Sequence, residues 1–375
     1  MSLNNIPALI EKTFPIPRRF KSALPSDIRE LSKLLTNNRG ERPLSYLGRP
    51  NYLSAYLHYF LPWNLYRLCI LLPSLNLNLS AGDKITDLGC GPLTFTSALW
   101  ITRPDLRKIP LEFYCIDRTA SVLEAGKKFF TALNSTGSPW TIHLINKDIN
   151  IKQPKSIHHD ETNKSSLVCA INFFNELYEN IPHYNTGELQ RLAKRAALFM
   201  YNEAAKDASI LIVEPGIPQS GRFISLLRSA SMDLGHHPAS PCTHTEACPC
   251  AASLPHGQKK KWCHFAFEAA NIPKSLQRLS AAAKLPKERL VFSFLLMTAA
   301  ASKSTQQGIR IISDAFSLPD DLYGRYGCCA QGLVLLSGKK ARIDELESFS
   351  FIKQSDLILT NNIDKKSGAL IMELK

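Results

Sequence analysis

Residues 84–100 read KITDLGCGPLTFTSALW, and the character of the chain changes twice within that span. The apolar, β-branched run ending at Leu88 is too short for a helix and reads as a strand. Gly89 and Gly91 interrupt it, and apolar residues then resume at helical spacing. Strand, glycine turn and helix form the unit from which parallel sheets are built. LEFYCIDRTASVLEAGKKFF at 111–130 repeats the unit, with Asp117 at the strand end. TIHLINKDI at 141–149 reads as a third strand and SLVCAINFFNEL at 166–177 as a fourth. The amphipathic stretch GELQRLAKRAALFMYNEA follows, and ASILIVEPG at 208–216 reads as a fifth strand. Strands alternating with helices predict an α/β fold with a sheet covered on both faces.

The flanks differ from this middle. From Pro25 to Leu79 the pattern is helical, with Ser26 as a cap and an aromatic-rich run at 51–75. Tyr52, Tyr56, Tyr59 and Trp63 within that run are placed for base stacking, but at helical spacing they read as core. Beyond residue 235 a Cys/His/Pro-rich segment precedes RLVFSFLLM at 289–297, long enough for a central strand. IRIISDAF, GLVLLSG, SFSFIK, DLILT and ALIMEL then read as further strands. The expected organisation is a helical region at 1–80, a sheet domain at 81–235, a cysteine-rich insertion at 236–270, and a portion at 271–375 that completes the sheet and is otherwise β-rich.

At 375 residues, with 45% hydrophobic and 21% charged side chains, the chain is long enough to bury a large core. No apolar run reaches the ~20 residues of a membrane span, and the N-terminus lacks a basic leader joined to an apolar stretch. These features predict a cytoplasmic protein without a membrane partner, in a reducing compartment where clustered cysteines bind metal rather than pair as disulfides. The formal charge of +13 favours a polyanionic partner, RNA above all. Arg18, Arg19 and Lys21, Lys259–Lys261, and Lys339, Lys340 and Arg342 supply local basic runs.

Glycines after the first strand and an acid after the second stand where open parallel sheets bind nucleotides. Gly91 is followed by Pro92, Leu93 and Thr94, which departs from the G-x-G-x-x-G of nicotinamide sites. With Asp148 at the end of the third strand, the set resembles the S-adenosylmethionine site of Rossmann-fold, class I methyltransferases. That resemblance implies that Asp87, Gly89 and Gly91 shape the loop under the methionine part, that Asp117 takes the ribose hydroxyls, and that Asp148 lies near the adenine. Leu93 stands where many such enzymes have a third glycine, and its β-carbon is expected to crowd the cofactor. Asn172 and Asn175 of NFFN, and Glu214 at the end of the fifth strand, are the candidate catalytic residues, although NFFN lacks the two prolines of the amino-methylating motif it resembles.

Residues 241–250 read PCTHTEACPC, and WCHF follows at 262–265. Cys242, Cys248 and Cys263 form C-x5-C-x14-C, with Cys250 between the last two. Zinc remains open through His244 or His264, although paired zinc knuckles are absent, and irregular thiolate spacing equally suits an iron-sulfur cluster. Cys69, Cys115 and Cys169, by contrast, read as single buried core thiols.

VEPGIPQSGRFISLLR, these two cysteine stretches and RLVFSFLLM together resemble the methyltransferase-like family associated with the mitochondrial small ribosomal subunit, and its bacterial relatives. The resemblance spans about residues 50–300. It implies a Rossmann-like methyltransferase sheet with a helical N-terminal region, an inserted cysteine-rich metal-binding lobe and a β-rich C-terminal portion. It further implies S-adenosylmethionine and a [4Fe-4S] cluster as cofactors, the small ribosomal subunit and its RNA as partners, and a mitochondrial location in a eukaryote. Cys242, Cys248 and Cys263 match the family's ligands. The fourth position falls on Cys328, with Cys329 and Cys250 as alternatives. Two functions fit: an S-adenosylmethionine-dependent methyltransferase acting on small-subunit ribosomal RNA, or a non-catalytic RNA-binding assembly factor stabilised by the cluster.

Overall fold

The computed structural model describes residues 3–36, 46–152, 164–182, 185–251, 261–269, 271–300 and 308–374. The chain forms two compact units, Met1–Pro182 with Glu268–Leu290, and His183–Phe267 with Val291–Lys375.

The first unit holds strands β1 (Lys84–Leu88), β2 (Glu112–Asp117), β3 (Thr141–Asn146) and β4 (Ser165–Ile171). They pair in parallel in the order β3-β2-β1-β4. The chain crosses β1 between its first and last partners, so the carboxyl ends of β1, β2 and β4 surround a topological switch point, the usual place for a ligand crevice. Helix Ala120–Leu133 packs through Val122, Leu123, Phe129, Phe130 and Leu133, the spacing of one buried helical face. The glycine turn continues into helix Thr94–Thr102 through Leu93, which has φ +55° and is fully buried.

In the N-terminal region, Pro50–Ala55, a π turn at Tyr56–Phe60 and Leu61–Leu71 run on from one another. Tyr52, Tyr59 and Trp63 form a core with Ile28, Leu31 and Leu276, as their spacing predicts. Tyr56 is half-buried and packs against the same core.

The second unit begins with helix Thr186–Glu203, capped by the Asn185 side chain accepting from Glu188 N at 3.1 Å. Strand β5 (Ala204–Pro215) pairs antiparallel with β8 (Arg289–Thr298), and β6 (His237–Ser240) and β7 (Phe265–Glu268) also pair with β8. RLVFSFLLM is therefore central, as its length predicts, but antiparallel to β5 and β6. The described parts of 236–270 do not stand apart as an inserted lobe, because the short strands β6 and β7 tie them to β8.

The remaining strands are β9 (Gly308–Ile311), β10 (Phe316–Ser317), β11 (Tyr323–Cys329), β12 (Gly332–Gly338), β13 (Phe351–Lys353), β14 (Leu357–Ile363) and β15 (Leu370–Leu374). They form a second sheet in the order β13-β9-β11-β12-β15-β14, with β10 beside β11. Its core contains Ile309, Ile311, Cys329, Val334, Leu336 and Met372. Among the described residues, no helix is long and apolar enough to cross a membrane.

Candidate functional site

The residues singled out in the first unit do not play equivalent parts. Gly89 has φ +64° and Gly91 φ +54°, conformations that side-chain-bearing residues rarely adopt. The turn is fastened to β2 by Asp117, whose Oδ2 accepts from Gly91 N at 3.1 Å and whose Oδ1 accepts from Thr119 N at 2.9 Å. Burial pushes the Asp117 carboxyl up, and these two backbone donors pull it back. Each oxygen retains a second acceptor direction, so the pair can also receive the hydroxyls of a ribose-like diol.

Gly89, Asp117, Asp148 and Asn172 line one cavity, together with Phe173 and Glu176. Glu176 accepts from Arg118 Nη2 at 2.9 Å and from the Tyr46 hydroxyl at 3.3 Å, which fixes the wall opposite the turn. Asn172 has φ +53°, a left-handed backbone that asparagine tolerates better than most residues. That turn sets the ring of Phe173 against Gly89, where a β-carbon on the glycine would stand 2.4 Å from Cδ2. With the ring there, the cavity measures about 80 Å³, against roughly 300–1,000 Å³ for small-molecule sites.

Asp87 lies beneath the turn rather than in the cavity. It is fully buried in β1, its Oδ1 accepts weakly from Cys169 Sγ at 3.5 Å, and its Oδ2 has no partner. Burial pushes its pKa up to about 8, so it is largely neutral at pH 7. Leu93 does not crowd the cavity, contrary to expectation. Its side chain turns toward helix Ala120–Leu133 at Gly126, where an added β-carbon would meet Pro92 C at 2.5 Å and Leu93 Cγ at 2.7 Å. Asn175 begins the short helix Asn175–Tyr178 and does not line the cavity. Glu214 belongs to the second unit, fully buried opposite Ser293 in the β5–β8 ladder. Sequence reasoning missed Phe173, Glu176 and Arg118; Glu176, an acid directly after NFFN, was the one readable signal.

In the second unit, Cys242, Cys248, Cys250, Cys263 and Cys328 line a single cavity with Arg228 and Arg310. They come from the ends of β6 and β11, from the loop between, and from the approach to β7. Cys329 points the other way, into the core of the second sheet, where its thiol donates to Gln331 Oε1 at 3.0 Å. Strand alternation thus turns Cys328, rather than its neighbour, toward the other cysteines. Burial raises the thiols of Cys242, Cys263 and Cys328, whereas a hydrogen bond from Cys250 lowers Cys248 to about 6. His244 Nε2 lies 3.3 Å from Cys328 Sγ, and Arg228 Nη2 donates to His244 O at 2.9 Å. His264 Nδ1 instead faces Trp262 O at 3.1 Å. Among the described residues, no three His, Cys, Asp or Glu side chains are arranged around a single metal ion.

The basic runs are partly engaged locally. Lys21 pairs with Glu11 at 2.9 Å, Lys340 with Asp344, and Lys261 lies over the Tyr326 ring at 4.4 Å. Lys259 and Lys260 lie outside the described residues.

Comparison with solved structures finds methyltransferases of low sequence identity. Magnesium protoporphyrin IX methyltransferase from Synechocystis, solved with bound SAH, is 11% identical over 73% of this chain and 100% of that one, with a TM-score of 0.33. The CurJ carbon methyltransferase is 11% identical over 78% and 71%, with a TM-score of 0.37. Geranyl diphosphate methyltransferase, in complex with GPP and sinefungin, is 10% identical over 68% and 84%, with a TM-score of 0.33. No curated protein sequence matches. A family model described as mitochondrial small ribosomal subunit Rsm22 matches residues 112–317, more than half of the chain, and agrees with the resemblance read from the cysteine stretches. The chain belongs to the Rsm22 family of the mitochondrial small ribosomal subunit.

Proposed function

We propose that this protein binds S-adenosylmethionine at the glycine turn of its first unit and acts, as a methyltransferase-like factor, with the RNA of the small ribosomal subunit. The observation that carries the reading is Asp117: an acid at the end of β2, fastened to the turn after β1, on one cavity with Asp148 and Asn172. In this reading Asp117 receives the ribose hydroxyls, Gly89 and Gly91 pass under the methionine part, and Asp148 lies beside the adenine. Asn172 is the polar side chain nearest to a catalytic role, since it shares the cavity while Asn175 and Glu214 do not line it. Methyl transfer asks mainly for alignment, because the sulfonium is already activated. Ribosomal RNA as partner is supported by the family and by the formal charge of +13.

A second reading, a non-catalytic assembly factor, is favoured by Phe173. A ring standing on Gly89 leaves little room for a cofactor, and a chain that keeps it there uses the old crevice as a scaffold.

The donor set of the second unit fits a thiolate-bound group, and Cys242, Cys248, Cys263 and Cys328 would hold it, with Cys250 donating to the Cys248 sulfur. A [4Fe-4S] cluster, which takes each thiolate on a separate iron, is one group such a set of cysteines would hold; zinc is the alternative. When bound, such a group supplies a structural cross-link between segments far apart in sequence.

The test incubates protein purified without oxygen with immature small subunits and methyl-labelled S-adenosylmethionine. Label in the RNA that disappears with Asp117→Ala supports the enzyme. RNA binding without label supports the scaffold, and neither binding nor label removes both.

A further inference from the structure

Two guanidiniums stand among the cysteines of the second unit. Arg228, on helix Pro218–Met232, is buried; its Nη2 donates to His244 O at 2.9 Å, and its guanidinium is within hydrogen-bonding reach of the Cys242 sulfur. Arg310, on β9, is half-buried. It donates Nε to Pro241 O at 3.0 Å and Nη1 to Phe349 O, and its Cζ lies 4.2 Å from the centre of the Phe349 ring. Both line the cysteine cavity, whose lining holds no carboxylate and is closed by Ile224, Phe294, Leu295 and Ile312. Among the described residues, no carboxylate pairs with either arginine. Their partners are carbonyls, an aromatic ring and thiols, and two guanidinium charges in apolar surroundings without a counter-charge are costly.

On this cavity the missing charge can come from the cysteines, because a thiol gives up its proton when it binds a metal. Cys242, Cys248, Cys263 and Cys328, bound together to one group, bring four negative charges; Cys250, a donor to the Cys248 sulfur, adds none. The two arginines offset two of the four. A group that carries two positive charges then brings the site to neutrality, and a zinc ion and an oxidised [4Fe-4S] core both meet that count. The hydrogen bonding points the same way. Arg228 stands at the Cys242 sulfur, and His244 Nε2, when it carries the ring proton, is a donor 3.3 Å from Cys328 Sγ. Donors aimed at sulfur favour the thiolate over the thiol.

We propose that Arg228 and Arg310 are the counter-charges of a dianionic four-thiolate centre, and that they retain its bound group by neutralising the two negative charges left once a group of charge +2 is in place. The inference rests on the reading above of these cysteines as ligands. It adds two side chains that touch the ligand sulfurs' surroundings rather than the metal, and it fixes the charge of the group the site accepts.

The test purifies wild type, Arg228→Gln, Arg228→Lys, Arg310→Gln and Arg310→Lys without oxygen and follows the release of metal to an excess of chelator. Glutamine keeps an N–H donor and loses the charge, whereas lysine keeps the charge and loses the planar fork. The glutamine variants should release metal roughly 10- to 100-fold faster than wild type, and the lysine variants within about threefold of it. Equal acceleration by glutamine and lysine overturns the proposal, because the arginines would then serve only through their hydrogen-bond geometry. Release at the wild-type rate by all four variants overturns it as well. A second measurement needs no variant: the mass of loaded wild type under non-denaturing conditions counts the metal, any sulfide and the protons displaced. It should give a group of charge +2, and any other charge contradicts the count. Wild type that carries no metal when purified this way removes the reading of the cysteines as ligands, and this inference with it.

Discussion

Phe173→Ala tests how the crevice opens. The ring is half-buried, and its edge lies over the α-carbon of Gly89. A nucleoside that passes over this turn has to displace the ring. The packing of that ring on the turn is worth about 1–2 kcal/mol, a fraction of the ~3–5 kcal/mol for truncating a fully buried phenylalanine. If each binding event includes that cost, its removal strengthens S-adenosylhomocysteine binding by roughly 5- to 30-fold. Isothermal titration of both proteins measures it, and denaturant unfolding should show a loss of no more than about 2 kcal/mol. Weaker binding in the variant would show instead that the ring is part of the ligand's seat and not an obstacle to it.

Asp87→Asn should stabilise the protein increasingly as pH rises. The native carboxyl titrates near 8, whereas an unfolded aspartate titrates near 4. The unfolded chain therefore binds fewer protons between those values, so wild-type stability contributed by this group falls across pH 4–8. The difference in thermal midpoint between variant and wild type should widen from pH 5 to pH 8, and a constant difference would contradict it. Gly126→Ala puts a β-carbon 2.5 Å from Pro92 C and 2.8 Å from Leu93 N, both backbone atoms. It should cost about 1–3 kcal/mol in denaturant unfolding and weaken nucleoside binding by moving the turn; an unaffected variant would show that the helix can retreat freely. Cys248→Ser should lower metal content and thermal midpoint together, and a metal-free variant that melts like wild type would deny the bound group a structural role.

Much of the first unit was legible because parallel strands declare themselves. KITDL and EFYCID are short apolar runs cut by glycine or acid, and Asp117 could be placed at a strand end from the sequence alone. Contacts made across the turn were not legible. Leu93 read as an obstacle because sequence gives its position but not its direction, and the left-handed backbone at that residue sends the side chain toward Gly126. Strand β11, YGRYGCC, was missed because glycine argues against a strand. Its Gly327 is there to admit Ile309, whose Cγ2 would be 2.2 Å from an added β-carbon. Without β11, strand alternation could not be used to choose between Cys328 and Cys329.

A cofactor site built on Asp117 is tested by the equilibrium binding of S-adenosylmethionine to wild-type protein and to Asp117→Asn, which keeps the shape of the side chain but removes its charge and one acceptor. Wild type should bind saturably and one-to-one, and the variant should lose roughly tenfold or more, with a lower melting point because one of the two backbone amides held by Asp117 loses its acceptor. Absence of binding to wild type, or equal binding by both proteins, would contradict a cofactor site built on Asp117.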